Sequence, residues 1–172
     1  AGSPAADDIY ERVDDLKMNH PFNVNGDVLP APPTRPGYAF VGWSTEKADP
    51  TLANRFFDTT VIDRAIYNVY AIWEEVGLSA EYNPPEHQGW TKGPVEATIT
   101  LTSIYAPTAS TITLPGGVTQ NITFTQVPGV NKYTATYKFE DATGPINQTG
   151  IVVSAEVPNG SGGSESLSTI LN

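Results

Sequence analysis

The 172-residue chain contains no cysteine, one methionine, two histidines, and nine basic residues against nineteen acidic ones. The missing cysteine excludes disulfides, thiolate metal sites, iron–sulfur clusters and thiol nucleophiles, but does not fix a compartment. The shortage of base leaves a net charge of −10 and a pI near 4.4. That is the reverse of the basic footprint nucleic-acid binding requires and of attraction to anionic lipid. No apolar run approaches the roughly 18 residues of a membrane helix. The expectation is therefore no nucleic-acid partner and no membrane insertion. A signal peptide is also lacking; the opening Ala1-Gly2-Ser3-Pro4 reads as a cloning remnant, which makes that lack uninformative.

Fifteen prolines and fifteen glycines stay below the combined share that signals disorder. The length allows one domain or two small ones, and two bodies of about 75–95 residues bury enough surface to stand without staples. Composition favours two. Residues 1–75 hold 12 acids and 6 bases, while residues 76–172 hold 7 acids and 3 bases. Threonine supplies 5 of the first 75 residues and 15 of the last 97. Threonine suits a pleated, half-solvated surface, so the second part reads as nearly all strand.

Residues 1–20 form an acidic segment. Ile9, Val13 and Leu16 recur at helical spacing behind Asp7 and Asp8, which predicts a short amphipathic helix over Asp8–Met18. Asp7, Asp8, Asp14 and Asp15 lack the alternating spacing of a calcium loop and read as a solvated helix face. From residue 21 to 75 the chain is extended. Asn25-Gly26 predicts a hairpin turn between Phe22–Val24 and Val28-Leu29. Pro30, Pro32, Pro33 and Pro36 forbid helix and any central strand. Pro36-Gly37 predicts a turn. Tyr38–Trp43 reads as a strand with Tyr38 and Phe40 on one face, and Ser44–Ala53 as loop or short helix. Ile66–Trp73 reads as a closing strand with Tyr67, Val69, Ala71 and Trp73 on one face. Glu74 and Glu75 are neighbours on a strand, so they point to opposite faces and cannot flank a glycosidic bond as a catalytic pair.

Pro33-Thr34-Arg35-Pro36-Gly37-Tyr38-Ala39-Phe40-Val41-Gly42-Trp43, then Phe57-Asp58, then Val69-Tyr70-Ala71-Ile72-Trp73 resembles the internalin-type B repeat of bacterial surface proteins. The match covers about residues 22–73, with its parts in order. The resemblance implies a small β-grasp-like (ubiquitin-like) module. Its motif residues are Gly37, Tyr38, Phe40, Gly42, Trp43, Tyr70 and Trp73. The family opens with a strand where this chain carries the acidic stretch, so that first strand is expected to be missing or replaced.

Residues 76–158 alternate. Val95, Ala97, Ile99 and Leu101 face one way against Glu96, Thr98, Thr100 and Thr102. Tyr133, Ala135, Tyr137 and Phe139 alternate likewise, as do Ile151, Val153, Ala155 and Val157. Leu78–Tyr82 opens the set, Ile112 with Leu114 and Ile122 with Phe124 add short strands, and Pro115-Gly116-Gly117 and Pro128-Gly129 mark turns. Six or seven short strands, each with one polar face, predict an antiparallel sandwich. Gly89-Trp90-Thr91-Lys92-Gly93-Pro94-Val95, with Tyr133–Tyr137 followed by Glu140–Gly144, resembles bacterial immunoglobulin-like domains of surface proteins and adhesins. The two resemblances imply a mainly β protein, a β-grasp-like module followed by an immunoglobulin-like sandwich. Residues 159–172 read as a flexible Gly/Ser linker and tail.

Chemistry is sparse. His20 and His87 sit in different parts of the chain, short of the three or four converging ligands a metal needs. No serine lies in a nucleophile elbow, and Pro115-Gly116-Gly117 lacks the Lys-Ser/Thr of a phosphate loop. No enzyme, metal or cofactor is expected. A Lys–Asn isopeptide crosslink would draw on Lys92 with Asn147 or Asn159, helped by Glu96 or Glu140 kept protonated by burial. Tyr82, Trp90 and Tyr105, read as lying near one end of the sandwich, are candidates for a sugar platform; the competing reading is that Trp90 plugs the sandwich edge. The resemblances imply an extracellular, cell-surface or secreted chain acting as stalk or adhesin segment. Its partners would be neighbouring repeats and a host surface protein or glycan.

Overall fold

The computed structural model describes residues 9–13, 16, 18–48, 52–63, 67–83, 95–139 and 150–171. The chain divides into two compact units, Ala1–Glu74 and Glu75–Asn172. Both are built of β-strands.

In the first unit, β1 (Ile9–Val13), β2 (Tyr38–Ser44), β3 (Arg55–Phe56) and β4 (Tyr67–Glu75) form one sheet in the order β1-β4-β2-β3. β1 is antiparallel to β4, with Val13 opposite Tyr67 and Ile9 opposite Tyr70. Of the helix expected over Asp8–Met18, the described residues Ile9–Val13 are strand, Leu16 has no regular structure and Met18 lies in a turn. A lone helix of that length is marginal in water, whereas the open edge of β4 supplies a row of ready backbone partners. The second correction concerns Asn25-Gly26. Phe22–Asn25 is a 3₁₀ turn ended by Gly26 at φ 85, with Gly26 N–H donating to Asn23 O at 3.0 Å. Glycine at positive φ serves a helix stop as well as a hairpin. Here the turn buries Phe22, whose ring meets Phe56 edge-on at 5.6 Å.

Segment 19–23 then runs beside 58–62 through hydrogen bonds of 2.8–3.0 Å, among them Asn19 N to Ile62 O and Phe22 N to Thr60 O. Pro30 to Pro36 contributes no strand. A second short 3₁₀ turn, Leu52–Asn54, follows the loop after β2.

In the second unit, β5 (Gly77–Asn83), β6 (Val95–Thr102), β9 (Thr125–Gln126) and β10 (Lys132–Phe139) form a sheet ordered β5-β6-β10-β9. The other sheet holds β7 (Ala109–Thr113), β8 (Thr119–Asn121), β11 (Ile151–Pro158) and β12 (Ser164–Leu171), ordered β12-β11-β7-β8. The strand pairs are antiparallel. Ala97, Ile99 and Leu101 from one sheet, and Ile112, Ile151, Val153, Val157 and Leu171 from the other, are all completely buried. One core cluster joins the two sheets, which makes the unit a sandwich.

Two expectations fail here. Ile122 and Phe124 do not form a strand; they lie between β8 and β9, where the chain passes from one sheet to the other, and pack against the core as plugs. Residues 159–171 are not a flexible tail; Asn172 lies outside the described residues. Asn159–Gly163 is a tight turn, and β12 pairs with β11 from Ser164 opposite Pro158 to Leu171 opposite Ile151. Eight residues cannot hold a strand alone, but β11 offers a preformed edge, and Leu171 adds its full side chain to the core. With β12 the sandwich has eight strands.

Candidate functional site

The motif residues of the first unit converge on its core. Pro36 and Gly37 occupy the middle of a turn closed by Tyr38 N donating to Arg35 O at 3.1 Å, with Gly37 at φ 75. Proline then positive-φ glycine is the requirement of a type II turn. The turn sets the Arg35 guanidinium 4.1 Å over the Tyr38 ring and 5.9 Å from Trp73. One guanidinium nitrogen, Nη1, is buried without a hydrogen-bond partner among the described residues, so contact with the aromatic faces stands in for part of its lost hydration.

Phe40 touches Trp43 at 5.2 Å and Trp73 at 5.9 Å, both edge-on. Residues 40 and 43 would face opposite ways on a regular strand. Gly42, at φ 151, breaks the alternation between them; a side chain there would meet Arg55 Nε at 2.5 Å. Trp43 Nε1 donates to Pro30 O at 3.3 Å, which ties the proline segment to the sheet. Tyr70 is half-buried on β4. The ring set continues through Phe56 to Tyr67 at 5.1 Å, and Tyr67 OH donates to the Asp63 carboxylate. This is a packed, mostly dry aromatic core.

Of the sugar-platform residues, the two described ones, Tyr82 and Tyr105, are not brought together. Tyr82 lies opposite Ala97, near the start of β6, and packs on Phe139 at 6.0 Å. Tyr105 follows the far end of β6, its N–H donating to Ser103 Oγ at 3.0 Å. Five residues of strand, roughly 17 Å, separate Ala97 from Thr102. The reading that placed both tyrosines at one end is therefore corrected. Trp90, its plug reading included, lies outside the described residues.

Lys92, Asn147, Glu140 and His87 also lie outside them. Glu96 pairs with Lys138 across β6 and β10 at 2.9 Å, with its own side chain 34% exposed, so Glu96 is not the buried acid a crosslink requires. Asn159 is fixed in the β11–β12 turn, where Oδ1 accepts hydrogen bonds from Ser161 and Gly163. His20 is half-buried, and its carbonyl accepts Ile62 N–H at 2.9 Å. Among the described residues no cluster of histidine and carboxylates could hold a metal ion.

The sequence reading missed three polar arrangements. Arg35 sits on its aromatics because of the Pro36-Gly37 turn. Glu96 faces Lys138 because of strand register. Glu156 accepts from Ser164 and Ser166 because β12 is a strand. Only the first had a local signal, Arg-Pro-Gly-Tyr itself.

Comparison with protein-family models, with curated proteins and with solved structures found no match to this chain.

Proposed function

We propose that this chain is a non-enzymatic, two-module segment of a bacterial cell-surface or secreted protein, working as a stalk or adhesin segment. The observation that carries the reading is the strand order of the second unit. Labelled A to G in chain order, with β8 as C′, the two sheets read A-B-E-D and G-F-C-C′. That order supports an immunoglobulin-type reading of the sandwich. The first unit supports the B-repeat half of the reading differently. Gly37, Tyr38, Phe40, Gly42, Trp43 and Trp73 build one turn-and-core assembly, which gives the motif a packing reason rather than a catalytic one. The unit's four-stranded sheet, tied to the proline-rich segment by the Trp43–Pro30 hydrogen bond, supports the reading of a small, mainly β module.

A stalk needs modules that fold separately and resist proteolysis, and each unit has its own core. The test is a glycan array together with a panel of host matrix proteins, probed with the intact chain. Saturable binding selects the adhesin role, and no binding selects the spacer role. Turnover of any glycan or peptide on those panels overturns both.

A further inference from the structure

The sequence holds two Asn–Gly steps, Asn25-Gly26 and Asn159-Gly160, and the fold treats them oppositely. Gly26 commits its amide to Asn23 O at 3.0 Å. Among the described residues the Gly160 amide has no acceptor. The Asn159 side chain folds back over its own turn. Its Oδ1 accepts hydrogen bonds from Ser161 N at 3.0 Å, Ser161 Oγ at 2.8 Å and Gly163 N at 3.1 Å. Three donors converge on one amide oxygen beside an uncommitted backbone nitrogen.

We propose that Asn159 is a self-modification site, primed by the β11–β12 turn for ring closure onto the Gly160 nitrogen and conversion to aspartate and isoaspartate. Hydroxide from solvent removes the Gly160 amide proton. The nitrogen attacks Asn159 Cγ, forming a new C–N bond and pushing the carbonyl electron pair onto Oδ1. The two N–H donors and the serine hydroxyl meet that developing oxyanion, as preorganised donors do in acyl transfer. Collapse restores the carbonyl and breaks the Cγ–Nδ2 bond; the leaving nitrogen takes a proton from water and departs as ammonia. Water then opens one of the two imide C–N bonds. Glycine at 160 presents no Cβ to crowd the five-membered ring. The product carries one more negative charge, and the isoaspartate form also adds a methylene to the main chain, at the turn that holds β12 in register.

The experiment is incubation of the intact folded chain at mildly alkaline pH, with peptide mapping by mass spectrometry to follow both asparagines. Asn159 is expected to convert roughly tenfold faster than Asn25, below the hundredfold that one enzymatic oxyanion donor contributes. In urea the two rates become equal. Ser161→Ala keeps the backbone donor and removes the hydroxyl; it slows Asn159 several-fold and leaves Asn25 unchanged, with a melting curve showing that the variant is folded. Asn25 converting as fast as Asn159 overturns the proposal, as does a rate difference that survives urea or a rate indifferent to Ser161→Ala. The comparison of the two asparagines in the unaltered chain stands without the variant.

Discussion

The two units fill their cores with different material. In the first, Phe22, Phe40, Trp43, Phe56 and Tyr67 are buried and meet ring to ring, with Leu16, Ile62 and Val69 around them. In the second, the completely buried apolar side chains among the described residues are Ala97, Ile99, Leu101, Ile112, Ile151, Val153, Val157 and Leu171, with the rings of Tyr133 and Phe139 nearly so. Rings are large and reach sideways, so a few can bridge chain that is not regular strand: a proline run, two 3₁₀ turns and a sheet whose pleat breaks at Gly42. Small branched side chains reach only straight inward. They make a core only when strands present them in register, every second residue. The first unit therefore tolerates irregular backbone and depends on single large residues, whereas the second depends on strand pairing and spreads its burial over many.

That contrast can be broken by mutation. Trp43→Ala removes the buried ring that packs on Phe40 together with the bond to Pro30; a loss of about 3–5 kcal/mol is expected for such a truncation. In urea titration monitored by circular dichroism the first unit should unfold early, while the transition of the second stays in place. A joint shift of both would show that the cores are not independent. Leu171→Ala tests the second unit at the strand that reads as a tail. Its buried side chain should cost about 2–5 kcal/mol, against less than about 0.5 kcal/mol for the exposed neighbour Ile170→Ala. Equal effects at the two positions would mean that β12 contributes little to the core.

Backbone comes next in size. Gly37→Ala places a side chain at φ 75 and is expected to cost about 1–2 kcal/mol through strain alone, seen as a lower urea midpoint for the first unit only. The smallest effect belongs to the polar face. Lys138→Ala removes the exposed pair with Glu96 and should shift the second unit by about 0.2–1 kcal/mol, fading as salt is added. A larger, salt-independent loss would place that lysine's stem, rather than its charge, in the stabilising role.

Legibility followed the same division. β6, β10 and β11 could be read because apolar and polar residues alternate within each strand, so the information is local. β12 could not, because Ser164, Ser166 and Ser168 leave only Leu167, Ile170 and Leu171 as apolar signal, and what makes it a strand is the edge of β11. β1 is the same case against β4. The aromatic motif could be read as residues, but Phe40 and Trp43 share a core only because Gly42 turns the strand between them. Tyr82 and Tyr105 looked like neighbours because each lies near a strand terminus; strand register put them at opposite ends of β6.

By itself the sequence determined the class of this protein. Alternation, threonine content and the Gly37–Trp43 motif specify β-structure, and the compositional shift near residue 76 falls within two residues of the division between units at Glu74 and Glu75. It also determined much of what is absent, since thiol chemistry needs cysteine. Tertiary structure decided the fate of every weakly patterned segment: β1, the 3₁₀ turn at Phe22, the crossing at Ile122–Phe124, β12 and the turn that cradles Asn159. The reason is the range of the interaction. A side-chain pattern is written along the chain, but a hydrogen-bonding edge is supplied by another strand, and a segment with little burial of its own takes the conformation that edge offers.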